Sequence, residues 1–293
     1  MPSGPHSRRS ASSLNVRFAS VTHQGQPFAV MIEGDTATPL LDIAELGRRT
    51  PASLLRSPPL YDKVSLPVGE LSYRPVIPNP SKVICVGLNY LAHIQETQNE
   101  EHPYPTLFTK FASSLTGPYD DIPRPPESDA VDYEGELTVV IGERVRRVAR
   151  EDALAAVAGY TVANDVSMRD YQYKTTQFLQ GKAWDGATPV GPWLVTGDEI
   201  GDPGSLSVRT TVNGAVVQDA STAQLIFDIA TLVSTISEFA ALDPGDLILT
   251  GTPSGVGFRR EPPLLLGDGD VVVVEIDQVG RLENRCVTER VGR

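Results

Sequence analysis

The chain has few cysteines and no long apolar run, and each shortage excludes a class of protein. Its 293 residues include only two cysteines, Cys85 and Cys286. A disulfide framework is therefore excluded, and a reducing compartment, the cytoplasm, is expected. No apolar run approaches the roughly 20 residues that span a membrane. Near the N-terminus no apolar segment follows Arg8 and Arg9, so the sequence gives no support for a secretion signal.

Positive charge is also scarce. The sequence has 25 Lys and Arg against 37 Asp and Glu, which gives a net charge of −12. Nucleic acids and anionic membranes bind positively charged surfaces, so neither is expected as a partner. A small anionic substrate remains compatible with this balance, because the charge around a site outweighs the total charge of the protein.

Composition predicts four segments along the chain. The early part alternates short β-like pieces with a helical stretch near Leu41–Arg48, and three prolines, Pro75, Pro78 and Pro80, then block regular structure. The predicted segments are a disordered tail (1–14), a small N-terminal α/β unit (15–73), a proline-rich linker (74–81) and a catalytic domain (82–293).

Apolar runs rich in β-branched residues predict strands in the main domain, with turn residues such as Asn213-Gly214 between them. Helical spacing of apolar residues predicts two helices, Glu151–Ala158 and Thr222–Leu242. Strands dominate without regular strand–helix alternation, which predicts an α+β, β-rich fold rather than a doubly wound sheet. The predicted strands are Lys82–Leu88, Leu137–Ile141, Tyr160–Ala163, Leu206–Val212, Leu247–Thr250 and Val271–Ile276.

Three carboxylates occur at the ends of predicted strands. Glu134 and Glu136 precede a buried strand, and residues i and i+2 of a strand point to the same face. Asp165 follows another predicted strand and supplies the third carboxylate. Such a set suits a hard divalent ion such as Mg²⁺ or Mn²⁺ and argues against zinc, which prefers His and Cys. A solvent-facing pair of glutamates is the alternative interpretation of the Glu-x-Glu pattern.

A histidine and a glutamate form the next candidate pair. His93 and Glu96 are three residues apart, which places them on one face of a helical turn. The glutamate can hold one ring nitrogen and leave the other to take a proton from water. An exposed ion pair without a catalytic role fits the same spacing.

Four further groups carry possible chemistry. Lys182 lies among small and aromatic residues, where it can neutralise a substrate carboxylate or a developing enolate, although a surface lysine fits too. Arg169 and Gln172 can orient ligands or bind substrate, or they can cap a short helix. The glycine-rich run 251–257 lacks the Lys-Ser/Thr ending of a phosphate loop. It can present backbone N–H groups and the Thr252 hydroxyl to an anion, or serve only as a turn.

Together these segments resemble the fumarylacetoacetate hydrolase family. The resemblance covers roughly Lys82–Cys286 and rests on motifs in the order that the family shows. These motifs are Lys82–Tyr90 followed by His93 and Glu96, Asp132–Glu136, Asn164-Asp165 with Arg169 and Gln172, Lys182, and Pro244–Asp246 with Thr250–Gly257.

The resemblance implies a mixed β-roll core, a small N-terminal domain and usually a homodimer. It implies Mg²⁺ or Mn²⁺, with Ca²⁺ as a crystallographic substitute, bound by Glu134, Glu136 and Asp165. The implied substrate is a small anionic 2-oxo or 1,3-diketo acid. His93, oriented by Glu96, is expected to activate water for cleavage of a C–C bond, with Lys182 stabilising the enolate. The implied substrate contacts are Arg169, Gln172, Thr252, Gly251 and Tyr90.

Three reactions can share such a metal platform: hydrolysis, decarboxylation of an oxaloacetate-like acid, and keto–enol isomerisation of a dienedioate. The presence of both His93 and Glu96 favours water activation, so a C–C hydrolase is ranked first, a decarboxylase second and an isomerase third. A metal-dependent binding protein on the same fold is the non-enzyme alternative. It predicts the loss of a ligand or of the His–Glu pair, and every one of these residues is present.

Overall fold

The computed structural model describes residues 16–61 and 63–290, so the predicted tail, residues 1–14, lies outside them. The strands are β1 (Arg17–His23), β2 (Gln26–Glu33), β3 (Thr36–Pro39), β4 (Leu66–Pro67), β5 (Ser72–Tyr73), β6 (Val83–Gly87), β7 (Thr106–Lys110), β8 (Leu115–Thr116), β9 (Ile122–Arg124), β10 (Val131–Asp132), β11 (Gly135–Ile141), β12 (Val157–Asn164), β13 (Ser167–Met168), β14 (Thr188–Thr196), β15 (Ser207–Val212), β16 (Ala215–Ser221), β17 (Leu247–Leu249), β18 (Val271–Ile276) and β19 (Gly280–Thr288). The α-helices are α1 (Ala52–Leu55), α2 (Leu91–Thr97), α3 (Arg169–Gln172), α4 (Leu179–Lys182), α5 (Gly197–Ile200) and α6 (Ile229–Phe239). Single turns or short runs of 3-10 helix lie at Val68–Glu70, Ala112–Ser114, Arg150–Ala156, Pro203–Ser205, Thr222–Gln224 and Gly257–Arg259.

The predicted α+β, β-rich fold is confirmed. The six predicted strands of the main domain correspond to β6, β11, β12, β15, β17 and β18, with ends that differ by at most a few residues. The predicted turn between β15 and β16 is also present, with φ of 49° at Asn213 and 81° at Gly214. Two successive left-handed residues match the twist of a tight antiparallel hairpin.

Most strands belong to one large mixed sheet. Its main path runs β4-β3-β2-β1-β14-β12-β11-β17-β6-β7, and a five-stranded sheet, β16-β15-β18-β19-β9, forms a second layer. The pairing of β1 with β14 joins the N-terminal strands to the same sheet as the main domain, with Phe18 opposite Leu194. The division into an N-terminal unit, a linker and a catalytic domain stays a prediction.

Strand β11 lies at the centre of the fold, and both of its faces are covered. All seven of its residues are buried, which accounts for a run that is apolar rather than alternating. Leu137, Val139 and Ile141 pack in a cluster shared with the second sheet and α6, whereas Val140 packs in the cluster beneath the N-terminal strands. Because side chains alternate along a strand, Glu136 shares the face of Val140.

The register of the sheet brings four chain segments to one edge. Gly135 at the start of β11 pairs with Asn164 at the end of β12. Strand β17 runs antiparallel to β11 and β6 runs parallel to β17, so both also end at this edge. The segments that follow β6, β12 and β17 therefore meet the start of β11.

The predicted helix near Leu41–Arg48 is wrong. The segment instead makes turns: Asp42 has a left-handed φ of 58°, which an α-helix does not accommodate. Ala29 in β2 donates its N–H to the Ile43 carbonyl and accepts the N–H of Leu40, so the sheet takes the backbone groups that a helix would use.

The other two helix predictions were too long. The 3-10 helix Arg150–Ala156 replaces the predicted Glu151–Ala158, because β12 already begins at Val157. Helix α6 begins only at Ile229, where the Asp228 side chain accepts the Thr231 N–H at 2.8 Å as an N-cap. Among the described residues, no helix is long and apolar enough to cross a membrane.

Gly159 tests the packing of β12 against β14. A Cβ at this position would lie 2.0 Å from the carbonyl oxygen of Val195, and a backbone atom cannot move aside as a side chain can. We expect Gly159→Ala to lower the free energy of unfolding by roughly 3 kcal/mol through overpacking. Gly197→Ala is the matched control, because an added Cβ there meets no atom within 4 Å. Urea unfolding measures both, and equal losses would contradict this packing.

Candidate active site

Three buried carboxylates meet at the sheet edge. Glu134 precedes β11, Glu136 lies within it, and Asp165 follows β12. The N–H of Asp165 donates to the Glu134 carbonyl at 2.8 Å, which fixes the two segments side by side. One oxygen from each carboxylate lies within 4.8 Å of the others. The structure thus brings together the three metal ligands that the sequence predicts.

The donor set fits a hard divalent cation. All three groups offer oxygen, and all three are buried, which excludes the solvent-facing interpretation of the Glu-x-Glu pattern. Burial, together with the charges of Asp165 and Glu134, raises the pKa of Glu136 well above its usual value. A dication among the three carboxylates removes this repulsion. This acidic cluster could therefore hold a divalent metal ion of the kind that prefers oxygen ligands.

Lys182 bridges two of the carboxylates. Its Nζ lies 2.7 Å from Glu134 Oε2 and 2.9 Å from Asp165 Oδ2. The side chain is only 2% exposed, so the surface-lysine interpretation is wrong. Burial lowers the pKa of Lys182, but Asp165 and Glu134 outweigh burial and raise it. In turn, although burial acts to raise the pKa of Glu134, Lys182 and Arg169 lower it to about 2.

A second buried lysine, Lys110, was missed by the sequence analysis. Its Nζ lies 2.8 Å from Asp165 Oδ1, and it also donates to the Val166 carbonyl and the Thr188 hydroxyl. Asp165 therefore has a lysine beside each oxygen. In the sequence Lys110 is a single lysine at the end of β7, and no local pattern there predicts its contact with Asp165.

Arg169 connects the carboxylate cluster to a fourth acid, Asp132. Its Nε donates to Asp132 Oδ2 at 2.9 Å, and Nη2 lies 2.6 Å from Glu134 Oε1. Nη1 donates to Gln172 Oε1 at 2.8 Å. Burial acts to lower the pKa of Arg169, but the carboxylates of Glu134 and Asp132 outweigh it and raise the pKa. Two of the five predicted substrate contacts, Arg169 and Gln172, therefore lie beside the cluster, held by the protein's own groups.

His93 and Glu96 lie on one face of α2, as their spacing predicts. Nδ1 of His93 lies 3.3 Å from Glu96 Oε2, and the His93 side chain is only 8% exposed. Glu96 Oε1 accepts the N–H of Gly255 at 2.9 Å. An ionised carboxylate only accepts hydrogen bonds, so it favours the tautomer with its proton on Nδ1. This arrangement differs from an exposed ion pair, and the catalytic role of the two residues stays a prediction.

The glycine-rich loop binds the protein's own carboxylates. The N–H of Gly251 donates to Glu136 Oε2, that of Gly255 to Glu96, and those of Gly257 and Phe258 to Asp132. The anions at this loop are therefore side-chain carboxylates of the protein itself. At Gly251, φ is +104° and a Cβ would lie 2.8 Å from the Asn89 side chain, so the turn requires glycine.

A cavity of about 490 Å³ opens beside these groups. Of the predicted catalytic and substrate-binding residues, His93, Lys182, Arg169, Gln172 and Thr252 line it, as do the predicted metal ligands Glu134 and Glu136. The Thr252 hydroxyl already donates to the Gly135 carbonyl and accepts from Gln218. Tyr90 does not line this cavity: it is 1% exposed, and burial and Glu136 raise its pKa.

Comparison with known proteins places these features in a wider group. A family model described as fumarylacetoacetate (FAA) hydrolase, C-terminal, matches residues 82–287. A human protein named mitochondrial oxaloacetate tautomerase is 46% identical over 224 residues, which is 76% of this chain and 71% of that protein. The protein of the same activity from Xenopus laevis is 48% identical over 213 residues, which is 72% of this chain and 67% of that protein.

Solved structures of bacterial proteins share the fold. A 2-hydroxyhepta-2,4-diene-1,7-dioate isomerase from Mycobacterium marinum has a TM-score of 0.79 at 34% identity, with 94% of this chain and 99% of that chain covered. A fumarylacetoacetate hydrolase from Exiguobacterium antarcticum has a TM-score of 0.80 at 33% identity, with 94% and 100% covered. The chain is thus similar to tautomerases, isomerases and hydrolases.

The comparison contradicts the predicted cytoplasmic location. The human, rat and Xenopus relatives are all named as mitochondrial proteins. The prediction rested on two unpaired cysteines, which remain free and buried in the structure. Free thiols distinguish a reducing compartment from an oxidising one. They do not distinguish one reducing compartment from another, and this is why the inference failed.

Glu136 tests the metal site. We expect Glu136→Gln to weaken Mn²⁺ binding about 100-fold or more, because the charge and number of ligands set the affinity of such a site. Isothermal titration calorimetry of the metal-free protein with Mn²⁺ measures the change. Glu151→Gln is the control, since Glu151 is exposed in the 3-10 helix before β12. Unchanged affinity in Glu136→Gln would remove Glu136 from the ligand set.

Lys110 tests the charge balance of the buried cluster. We expect Lys110→Met to lower the free energy of unfolding of the metal-free protein by about 3–5 kcal/mol, because Asp165 loses a buried partner. Added Mn²⁺ should recover part of this loss, since it binds the folded state. Lys63→Met, at an exposed position, is the control for urea unfolding. Equal stability of the two variants would show that Lys110 does not balance Asp165.

Proposed function

Since the chain belongs to the fumarylacetoacetate hydrolase family, we propose that it is a divalent-metal-dependent tautomerase. Its proposed reaction interconverts the keto and enol forms of a small 2-oxo dicarboxylic acid of the oxaloacetate type. The observation that carries this proposal is the shared cavity, which is lined by Glu134 and Glu136 of the carboxylate cluster and by His93. A metal site for the 2-oxo acid and a base for its C3 proton are the two parts that enolisation needs.

The names of the relatives change the order of the candidate reactions. The sequence analysis ranks hydrolysis first because His93 and Glu96 can activate water. Relatives at 46% and 48% identity are named as oxaloacetate tautomerases, and a structural neighbour is named as an isomerase. All of these reactions pass through an enol or enolate, and the tautomerase uses the base on a C–H bond rather than on water.

The side chains suit this proton transfer. A divalent ion held by Glu134, Glu136 and Asp165, proposed to be Mg²⁺ or Mn²⁺, would supply a Lewis acid for the 2-oxo group. Glu96 favours the proton on Nδ1 of His93 and leaves Nε2 to take the C3 proton. As the C3–H bond breaks, its electron pair becomes the C2=C3 double bond and the proton binds to Nε2 of His93. Transfer of this proton from Nε2 to the former carbonyl oxygen forms the O–H bond of the enol, and the reverse transfers restore the keto acid.

The cations beside the cavity bind the substrate in this proposal. Lys182 and Arg169 hold positive charge next to the carboxylate cluster, and burial strengthens their attraction for an anion. Gln172, fixed by Arg169, offers its amide N–H groups. These groups would orient the 2-oxo carboxylate.

We further expect the active form to be a homodimer, which analytical ultracentrifugation tests.

C–C hydrolysis is the second candidate. The contact between His93 and Glu96 favours it, because the same base can activate water.

One experiment separates the reactions: the Mn²⁺-loaded enzyme is mixed with enol-oxaloacetate or acetylpyruvate, and the products are identified by NMR. Keto-oxaloacetate without loss of mass supports the tautomerase. Pyruvate with CO₂ would indicate a decarboxylase, and pyruvate with acetate from acetylpyruvate a hydrolase.

His93 tests the assignment of the base. We expect His93→Asn to lower kcat for enol-oxaloacetate by roughly 100-fold to 10,000-fold, the range for loss of a general base. Mn²⁺ affinity should stay unchanged, because His93 is not assigned to the metal. The decay of enol absorbance gives the rate, and His23→Asn, in β1, is the control. Full activity in His93→Asn would assign proton transfer to another group.

A further inference from the structure

We propose that Arg259 binds the second carboxylate of the substrate, the one farther from the 2-oxo group, and so selects dicarboxylic acids. The proposal deepens the tautomerase assignment and rests on it for the identity of the substrate. Arg259 lies at the end of the 3-10 helix Gly257–Arg259, and it lines the same cavity as His93 and Lys182.

The first argument is the charge that remains available. Lys182 is paired with Glu134 and Asp165, and Arg169 is paired with Asp132 and Glu134. Within residues 16–61 and 63–290, Arg259 is the lysine or arginine of the cavity wall that forms no ion pair with the protein. A dicarboxylate brings two negative charges, and Arg259 offers an unneutralised positive charge for the second.

The second argument is the geometry of the guanidinium group. Nη2 of Arg259 donates to the Thr97 carbonyl at 3.0 Å, and the group lies 5.3 Å from the centre of the Phe258 ring. A guanidinium has five N–H donors, so this single bond holds the side chain and leaves other donors for a ligand. Two parallel N–H groups match the two oxygens of a carboxylate.

The third argument is the position of Arg259 relative to the proposed base. Thr97 lies one turn after His93 in α2, and its hydroxyl donates to the His93 carbonyl at 2.7 Å. Arg259 is therefore bound to the helix that carries the base, whereas Arg169 and Lys182 come from α3 and α4. In oxaloacetate, C3 lies between the 2-oxo acid and the distal carboxylate. A base that reaches C3 thus has one of these groups on each side.

The test compares two ligands that differ in the distal carboxylate. L-malate and L-lactate are both 2-hydroxy acids, and only malate carries the second carboxylate. Isothermal titration calorimetry with the Mn²⁺-loaded full chain gives both affinities. In the wild-type protein we expect malate to bind more tightly. In Arg259→Gln the ratio of malate to lactate affinity should fall about 10-fold to 100-fold, the loss of a charged hydrogen bond.

Three variants isolate the effect. Arg259→Gln removes the charge and leaves a shorter side chain that still carries amide N–H donors. Arg259→Lys retains the charge and should restore part of the affinity ratio. Arg285→Gln is the matched control, because Arg285 is an exposed arginine of β19 that donates to the Gly269 carbonyl and does not line the cavity, and its ratio should equal that of the wild type.

The outcomes separate this proposal from the tautomerase assignment. Equal weakening of malate and lactate in Arg259→Gln would assign Arg259 to support of α2 and overturn the proposal. So would an unchanged ratio, or a wild-type protein that prefers lactate. If the wild type prefers malate through Arg259 but does not catalyse the ketonisation of enol-oxaloacetate, the carboxylate site stands and the tautomerase assignment fails.

Discussion

The structure depends on the balance between carboxylates and cations buried at one edge of the sheet. Glu134, Glu136 and Asp165 are all buried, and a buried charge is tolerated only when it is paired. Asp165 forms ion pairs with Lys182 and Lys110, and Glu134 forms one with Lys182. Glu136 accepts one backbone N–H, from Gly251, and burial together with the charges of Asp165 and Glu134 raises its pKa. A dication fits this position, and the rest of the site surrounds it.

The glycine-rich loop after β17 connects the parts of the site. Its N–H groups hold Glu136 of the carboxylate cluster, Glu96 behind the histidine, and Asp132, which in turn holds Arg169. A shift of this loop therefore moves the proposed metal ligand Glu136, the proposed base His93 and the proposed substrate contact Arg169 together. Such coupling is what preorganised catalysis needs, because reacting groups act only when they are held in a narrow range of positions.

Local pattern predicts the carboxylates but not their partners. The sequence predicts Glu134 and Glu136 as a pair because residues two apart on a strand point to the same face. It predicts Asp165 because this residue follows a β-branched run. Lys110, Asp132 and Arg259 gain their roles from contacts with segments far along the chain, which spacing does not show. The helix predictions failed for a related reason. Around Ile43 and before Ile229, tertiary hydrogen bonds and side-chain caps override helical periodicity.

The central claim is that His93 moves a proton at C3 of a bound 2-oxo dicarboxylate without breaking a C–C bond. The most direct measurement is proton NMR of keto-oxaloacetate in D₂O with the Mg²⁺-loaded enzyme. A protein base acts from one side of the bound substrate, so one of the two C3 protons should exchange for deuterium faster than the other, with no excess pyruvate over the enzyme-free sample. Equal exchange of both protons at the enzyme-free rate, or enzyme-dependent release of pyruvate in place of exchange, would contradict the account.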